Sequence, residues 1–530
     1  MKGIIFLLFF FIAIFLKGQP AAQSGIIVTR GAYLQKVTPY SITIRWRTNV
    51  ACNSKVEYGI DLDYGKTVFD STLTTEHTIL LTELNPNTKY FYSIGSSDQM
   101  FQSEEVNHFT TSPLTGSTNP VRIWVTGDFG TSSVQQIAVR DAYENYSQNK
   151  ETNLWLWLGD NAYSNGLESE YQDNVFDKYP DQFKKIPVYP AIGNHDYANA
   201  GYHSASTLTL NFPYFSIFNL PQSAEAGGVA SGTPKYYSFN YANIHFIALD
   251  SYGSFNDTGS TMYKWLDSDL NMNTQRWTVA YFHHPPYTQG SHNSDWEVEL
   301  VDMRNHIVPL LEKYNVDVVL SGHSHCNERT SLMGGHYGLS NTFDTSMIVN
   351  QSADTLLKSS PFRGTVYAVC GTSGQNPGYI QTGFPMPCMY FSNATDNCSL
   401  MIDVEGDLFS CKYLTATGDI ADSFIIKKSG NSQHGPVSPS GENNFTVSYS
   451  NNNQWTMSYY VEQKTNVKFD LINSQGEKVY DYKNIPEIQT RGYYNFSILV
   501  KTMTIQKGVY FIRMIADDKQ YTQKVVLGKN

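Results

Sequence analysis

The chain has 530 residues and a net charge of −11, with 41% hydrophobic and 16% charged residues. That balance suits folded domains, about two to four by length, and excludes a disordered chain. The acidic excess argues against nucleic acid or an anionic membrane as partner, although a positive site made by metal ions would escape the count.

In chain order, Lys2 precedes an apolar run from Ile4 to Leu16, and Lys17-Gly18-Gln19-Pro20-Ala21-Ala22 follows. A basic end, a short apolar core and small residues after it read as a secretory signal peptide over 1–22. The alternative, an uncleaved anchor, is disfavoured because a membrane span needs roughly 20 apolar residues. No other long apolar run exists, so no membrane span is expected after signal cleavage. Six cysteines are present, with no CxxC spacing for a structural zinc site; buried free thiols are the plain reading.

Residues 23–113 read as an all-β module. Ser41-Ile42-Thr43-Ile44-Arg45-Trp46 alternates with period two, and further strands are expected at 54–58, 77–81 and 90–94. Short strands between turns predict a β-sandwich. Nothing in it has catalytic spacing, so it is read as a structural or positioning module. A Thr, Ser, Pro and Gly-rich stretch follows, and 114–120 is the linker.

The pattern changes over 121–428. Val121-Arg122-Ile123-Trp124-Val125-Thr126 runs into Gly127-Asp128, Leu154-Trp155-Leu156-Trp157-Leu158 into Gly159-Asp160, and a run at 187–192 into Gly193-Asn194-His195-Asp196. Helical spacing over 133–146 lies between the first two. A hairpin is expected to close at Ala242-Asn243. Thr278-Val279-Ala280-Tyr281-Phe282 leads to His283-His284, a helical stripe covers 296–314, and Val316-Asp317-Val318-Val319-Leu320 leads to Gly322-His323-Ser324-His325. Strands alternating with helices predict an α/β domain, and open α/β sheets place their sites past the carboxyl ends of strands. The polar stretches 198–235 and 335–363 are read as long loops near the site. After a second linker, 429–445, the region 446–530 reads as a small β domain.

The polar residues at these strand ends are Asp128, Asp160, Tyr163, Asn194, His195, His283, His323 and His325. A lone Gly-Asp after a strand is ordinarily a turn. Five such clusters in order, two with paired histidines, are not. The mixed oxygen and nitrogen set exceeds what one tetrahedral ion needs and suits two ions of higher coordination number. Such a pair can clamp a phosphoryl group and activate water. Asp160, with two carboxylate oxygens, could bridge it.

Gly127-Asp128-Phe129-Gly130, Gly159-Asp160-Asn161-Ala162-Tyr163, Gly193-Asn194-His195-Asp196, His283 and Gly322-His323-Ser324-His325 resemble the five motif blocks of purple acid phosphatases, within the calcineurin-like metallophosphoesterases. Cys326-Asn327-Glu328-Arg329-Thr330 is similar to the family too, and Leu84 to Tyr92 resembles the tyrosine corner of a fibronectin type III-like domain. Most metallophosphoesterases carry a histidine where Gly130 stands and lack Tyr163; those two positions mark the subfamily. Ala280 departs from a usual Val, and Asn293 stands where a second histidine is frequent.

The resemblance implies a central four-layer α/β/β/α sandwich. It implies iron(III) on Asp128, Asp160, Tyr163 and His325, and a divalent ion (iron, zinc or manganese) on Asp160, Asn194, His283 and His323. A phenol with a pKa of about 10 needs a strongly charged hard cation to ionise. His195 and His292 would contact phosphate or assist the leaving group, and His284 is either packing or a loose neighbour. The implied reaction is hydrolysis of a small-molecule phosphomonoester by in-line attack of a metal-bound hydroxide. The alternatives are a phosphodiesterase or nucleotidase on the same fold, or a surface binding protein with a dead catalytic domain. The tail, with Val467 to Tyr480, Gly508-Val509-Tyr510 and Lys524-Val525-Val526-Leu527, resembles the sorting domain recognised by type IX secretion machinery. That implies a secreted or cell-surface protein exported through the periplasm; a carbohydrate-binding module is the alternative.

Overall fold

The computed structural model describes residues 25–429, apart from 149, 204–210, 351, 353–354 and 360–361, together with the strand-bearing parts of 445–527. The expected signal peptide and most of the second linker lie outside the described residues.

The central region is built on two seven-stranded sheets. The first runs, edge to edge, Thr355–Ser359, Ile420–Ser429, Leu408–Thr415, Cys398–Glu405, Val121–Thr126, Leu154–Trp157 and Val188–Pro190. The second runs Tyr237–Tyr241, Ile244–Ala248, Trp277–Tyr281, Val318–Ser321, Val366–Cys370, Asn327–Thr330 and Met389–Asn393. Strands that precede the polar blocks pair in parallel: 121–126 with 154–157 and that strand with 188–190; and 244–248 with 277–281, that strand with 318–321, and that one with 366–370.

Side-chain alternation sorts the second sheet into two faces. Phe246, Ala248, Val279, Tyr281, Val318, Leu320 and Ala368 join the core shared with the first sheet. Ile247, Leu249, Ala280, Phe282, Val319 and Tyr367 face the other way, onto Met262, Leu266 and Leu270 of the helix Thr261–Met272 and onto Met303, Ile307, Leu310 and Leu311. Those last four lie on a helical run of Val298–Asp302, a π turn at Met303–Ile307 and Val308–Lys313. The first sheet is covered by Val134–Ser147, whose Tyr143 stacks on Trp124 at 3.9 Å. Ser133 caps that helix by accepting the Gln136 N–H. The expected hairpin also forms: Tyr241 pairs with Ile244, and Ala242 takes φ 53° in the turn.

Two expectations change. Residues 335–363 are not simply a loop: Thr355–Ser359 pairs in parallel with Ile420–Ser429 as an edge strand of the first sheet. The paired residues are 70 apart in sequence, and one of the strand's two buried positions is Lys358, so burial alternates along it without an apolar alternation to read. In the N-terminal module, the strands read at 41–46 and 54–58 are one 18-residue strand, Ile42–Gly59. It runs through the polar stretch because it pairs with Lys66–Leu81 across register shifts that throw 49–51 outward. One end pairs with Val28–Gln35 and the other with Lys89–Gly95. The Tyr90 hydroxyl accepts the Asn85 N–H at 2.9 Å, the hydrogen bond of a tyrosine corner.

This module is fastened to the central domain. Arg30, almost fully buried, donates to Glu168 Oε1 at 2.5 Å and Gln172 Oε1 at 3.0 Å, and Arg47 donates to the same two side chains. Tyr92 donates to the Lys184 carbonyl at 2.8 Å, and Tyr33 to that of Ile217 at 2.9 Å. Apolar residues of both regions belong to one continuous core, in which Tyr33 packs on Phe176. At the other end of the chain, Phe445–Ser450, Gln454–Val461 and Gly492–Leu499 form one antiparallel sheet. Lys478–Asp481, Thr465–Asn473, Gly508–Ala516 and Lys519–Leu527 form a second, with Ile488–Gln489 pairing alongside. All six cysteines are free and buried.

Candidate metal centre

Each polar block leaves a parallel strand within a few residues, and the loops of the two sheets meet. Asp128 and Asp160 both sit at positive φ (54° and 50°) and are fully buried. The Tyr163 hydroxyl donates between them, 2.9 Å from Asp128 Oδ1 and 3.2 Å from Asp160 Oδ2. From the second sheet, His283 Nε2 lies 3.0 Å from Asp160 Oδ2. His323 Nδ1 is 3.2 Å from His283 Nε2, and the His323 N–H donates to Asp128 Oδ2 at 2.8 Å. His325 Nε2 is 3.6 Å from Asp128 Oδ1. The backbone N–H of His195 donates to Asp160 Oδ1 at 2.8 Å, which sets Asn194 beside it. All seven residues expected as ligands therefore come together, with His195 and His292 at the margin.

Close approach explains the glycines. A Cβ on Gly322 would overlap Asp128 Oδ2, and one on Gly193 would overlap Asp160 Oδ1. At Gly130 a Cβ would overlap the Asn161 carbonyl and lie 2.8 Å from Val175 Cγ2. The Tyr163 N–H donates to the Gly130 carbonyl at 2.8 Å. The chain that delivers the phenol thus fills the space a side chain at 130 would need, so Gly130 and Tyr163 are two sides of one steric choice.

Electrostatics follow from burial and crowding. Burial, reinforced by Asp128 and Asp160, pushes the Tyr163 hydroxyl well above its usual range. Burial alone would raise the Asp160 carboxyl, but the charge and hydrogen bond of His283, with His195, hold it below the ordinary carboxylate range. Burial works against the His283 imidazolium, and Asp160 and Asp128 overcome it, pushing the ring up to about 9. Burial and the neighbouring imidazoles push His323 and His284 well below the usual value.

The donors present fit a cation pair. Asn194 Oδ1 is buried with no hydrogen-bond partner, while its amide nitrogen is engaged by Asn199 at 2.9 Å. Donor atoms of Asp128, Asp160 and His283 lie within 4.8 Å of one another, as do those of His283, His284 and His323. His283 Nδ1 lies 2.9 Å from the Leu158 carbonyl, which can only accept, so Nδ1 carries the proton and Nε2 faces the carboxylates.

Neighbouring side chains hold these residues in place, and of them Glu297, Ser251 and Thr288 carry no sequence signal. Glu297 accepts from His292 Nδ1 at 2.6 Å and from the Asn293 N–H at 2.5 Å. Asn293 Oδ1 accepts the Asp295 N–H at 2.9 Å and so builds the turn. His195 Nδ1 donates to the Ser164 carbonyl at 2.6 Å. His284 is buried, with Nδ1 2.9 Å from Ser251 Oγ and its ring over Tyr252. Beneath the Gly322–His325 turn, Glu328 is fully buried. Its Oε2 accepts the Thr288 hydroxyl at 2.5 Å and the Cys326 thiol at 3.3 Å, while Oε1 has no partner. Thr288 Oγ1 is 2.8 Å from Ser324 Oγ. Burial pushes the Glu328 carboxyl up to about 7. The pair at Glu297 is recoverable from its spacing to His292 only once the turn is known.

Comparison with known proteins accords with this geometry. Residues 121–327 match the family model described as calcineurin-like phosphoesterase, and the site just built lies within that domain. Residues 31–111 match the purple acid phosphatase N-terminal domain, so the chain combines that domain with a metallophosphoesterase domain. Purple acid phosphatase 23 of Arabidopsis thaliana is 30% identical over 281 residues, covering 48% of this chain and 57% of that protein. Purple acid phosphatase 1 of Ipomoea batatas is 28% identical over 318 residues, covering 57% and 62%. This chain thus spans little more than half the length of the first of these relatives. In fold, it is similar to a purple acid phosphatase from yellow lupin seeds (TM-score 0.59, 18% identity, 78% of each chain). It is also similar to PhoD (TM-score 0.53, 14% identity, 79% of this chain and 95% of that one).

Proposed function

We propose that this chain is an exported acid phosphatase that hydrolyses small-molecule phosphomonoesters with iron(III) and a divalent ion. Asp128, Asp160, Tyr163 and His325 would hold the iron, and Asp160, Asn194, His283 and His323 the iron, zinc or manganese. The observation that carries the reading is the Tyr163 phenol wedged between two buried carboxylates, 2.9 and 3.2 Å away. Three oxygen ligands that close together in a dry site are costly unless cations share them. When bound, such a pair supplies Lewis acidity and lowers the pKa of water.

The chain's own groups do the rest. His292 keeps Nδ1 on Glu297 and its ring 3.8 Å from that of His323, leaving Nε2 to give a proton to the departing oxygen. His195, fixed through Nδ1 on the Ser164 carbonyl, turns Nε2 toward the Asp160 side, 3.7 Å from Oδ2, where a phosphate oxygen would lie. The domains are taken as 23–113, 121–428 and 446–530, the last as the part that export machinery recognises.

Purified protein should contain iron, absorb in the visible through phenolate-to-iron charge transfer, and release phosphate from p-nitrophenyl phosphate. Asp160→Asn should lose turnover and metal together. A colourless, iron-free protein that turns over phosphodiesters in preference to monoesters would overturn the reading. Removal of 446–530 should leave the protein inside the cell; unchanged secretion would remove the export role.

A further inference from the structure

The helix Glu168–Asn174 follows the Tyr163 loop and is gripped on two faces. One face turns to the centre. Glu170 accepts the N–H of Ser164 at 2.6 Å and those of Asn165 and Leu167 at 2.9 Å, so its carboxylate closes the loop that follows the phenol. Asn174 Nδ2 donates to the Tyr163 carbonyl at 3.0 Å. Tyr171, fully buried, donates to Asp196 Oδ1 at 2.6 Å. Asp196 also accepts the Asn161 N–H at 3.1 Å and the Gly193 N–H at 2.9 Å, which joins the block of Asp160 and Tyr163 to the block of Asn194. Glu168 and Gln172, four residues apart, share the other face. They meet Arg30 and Arg47 of the N-terminal module. The Arg30 guanidinium also lies 4.2 Å over the Phe176 ring, just past the helix end.

A seven-residue helix is marginal by itself. Tyr171 is its one buried side chain, so it has no apolar stripe to press onto the core. Its position is therefore set by the polar groups that hold its two faces. Arg30 holds most firmly, because a guanidinium that is 1% exposed cannot part from its carboxylate without leaving a bare buried charge. We infer that Arg30 is a positioning residue for the centre: through Glu168, Gln172 and the helix it sets where Tyr163 and the Asn194 block stand. The N-terminal module thereby acts on the reaction by way of a helix of the catalytic domain. This rests on the reading of Tyr163 and Asn194 as metal ligands and adds what fixes their placement.

The test compares the full chain as wild type, Arg30→Met and Glu168→Gln. Methionine keeps bulk over Phe176 and loses the donors; glutamine weakens the same link from a side chain that is 44% exposed, so it does not threaten folding. Amide hydrogen exchange is followed in the metal-free protein. Amides of 164–167 should exchange about tenfold faster in both variants, while those of Ile42–Gly59 and Ile244–Ala248 stay within about twofold of wild type. In the iron-loaded protein kcat on p-nitrophenyl phosphate should fall about tenfold at nearly constant KM, and the visible band should weaken per bound iron. Exchange at 164–167 that is unchanged, or that rises equally in all three segments, would overturn the inference and leave Arg30 a purely structural residue. A wild type that binds no iron and turns over no phosphomonoester would instead sink the phosphatase reading, and the exchange result would still decide whether Arg30 positions the loop.

Discussion

Glu328→Gln tests whether the floor beneath the Gly322–His325 turn is built for a neutral acid. The carboxyl is fully buried, two donors converge on Oε2, and Oε1 faces nothing. Ionising it would bury a charge that two donors on Oε2 only partly offset, and burial accordingly moves it from 4.5 to about 7. A raised carboxyl keeps its proton in the fold after the unfolded chain has lost it. Its stability contribution is complete below pH 4.5 and is lost as pH rises through 7. At about 1.4 kcal/mol per pKa unit, the loss is about 1 kcal/mol at pH 5 and about 3 kcal/mol at pH 7.5. Glutamine has the shape of the protonated acid and cannot ionise, so it escapes that loss. Melting can be followed by tryptophan fluorescence, because six of the eight tryptophans lie within 121–428. The gain of Glu328→Gln over wild type should be about 2 kcal/mol larger at pH 7.5 than at pH 5, roughly 3 °C in midpoint. Turnover at pH 5 should change little. A difference between the two proteins that is the same at both pH values would mean that Glu328 is ionised throughout and would refute the reasoning.

Three further outcomes are expected. Glu297→Gln weakens the acceptor that fixes His292 Nδ1, so kcat on phosphomonoesters should fall about tenfold. An unchanged kcat would detach His292 from the reaction. Gly322→Ala puts a methyl group into Asp128 Oδ2, so activity should fall by about a hundredfold or more and bound metal should drop, as measured by elemental analysis. Retention of both would mean that the turn yields freely. His77, buried between Thr48 and Ser54, is pushed down from 6.5 to about 4 by burial. The unfolded chain binds that proton first, so stability present above pH 6.5 should decline by about 2 kcal/mol on going to pH 5. His77→Gln should flatten this part of the denaturation profile; equal slopes would assign the acid sensitivity elsewhere.

The cluster was legible in the sequence because its polar residues follow strands whose own residues betray them. Leu154 to Leu158 is an unbroken apolar run, and a glycine-bounded turn after such a run leaves Asp160 nowhere to go but the sheet's end. The same holds for Asp128, His283 and His323. Glu297 and Ser251 were not legible, since each reaches the centre through another side chain and no spacing law links them to it. The N-terminal strand at Lys66–Leu81 was half missed for a related reason. Its first ten residues pair only on one side and are mostly exposed, so period-two burial is absent there. The choice of Gly130 with Tyr163 could be read as a pair, but its cause, a backbone occupying the space of the absent side chain, needed coordinates.

The junction between the N-terminal module and the catalytic region bears on how such a chain can be cut or recombined. Arg30 is almost wholly enclosed, and its counterion, Glu168, belongs to the helix Glu168–Asn174 that follows the Tyr163 loop. Glu170 of that helix accepts the N–H groups of Ser164 and Asn165, the residues just after the phenol. Excising the first module would strip the partner from a helix that braces the tyrosine and would open a shared core to water. The boundary visible in sequence at 114–120 is therefore a seam in composition and not in mechanics. A portable version of this centre would have to carry its first domain along.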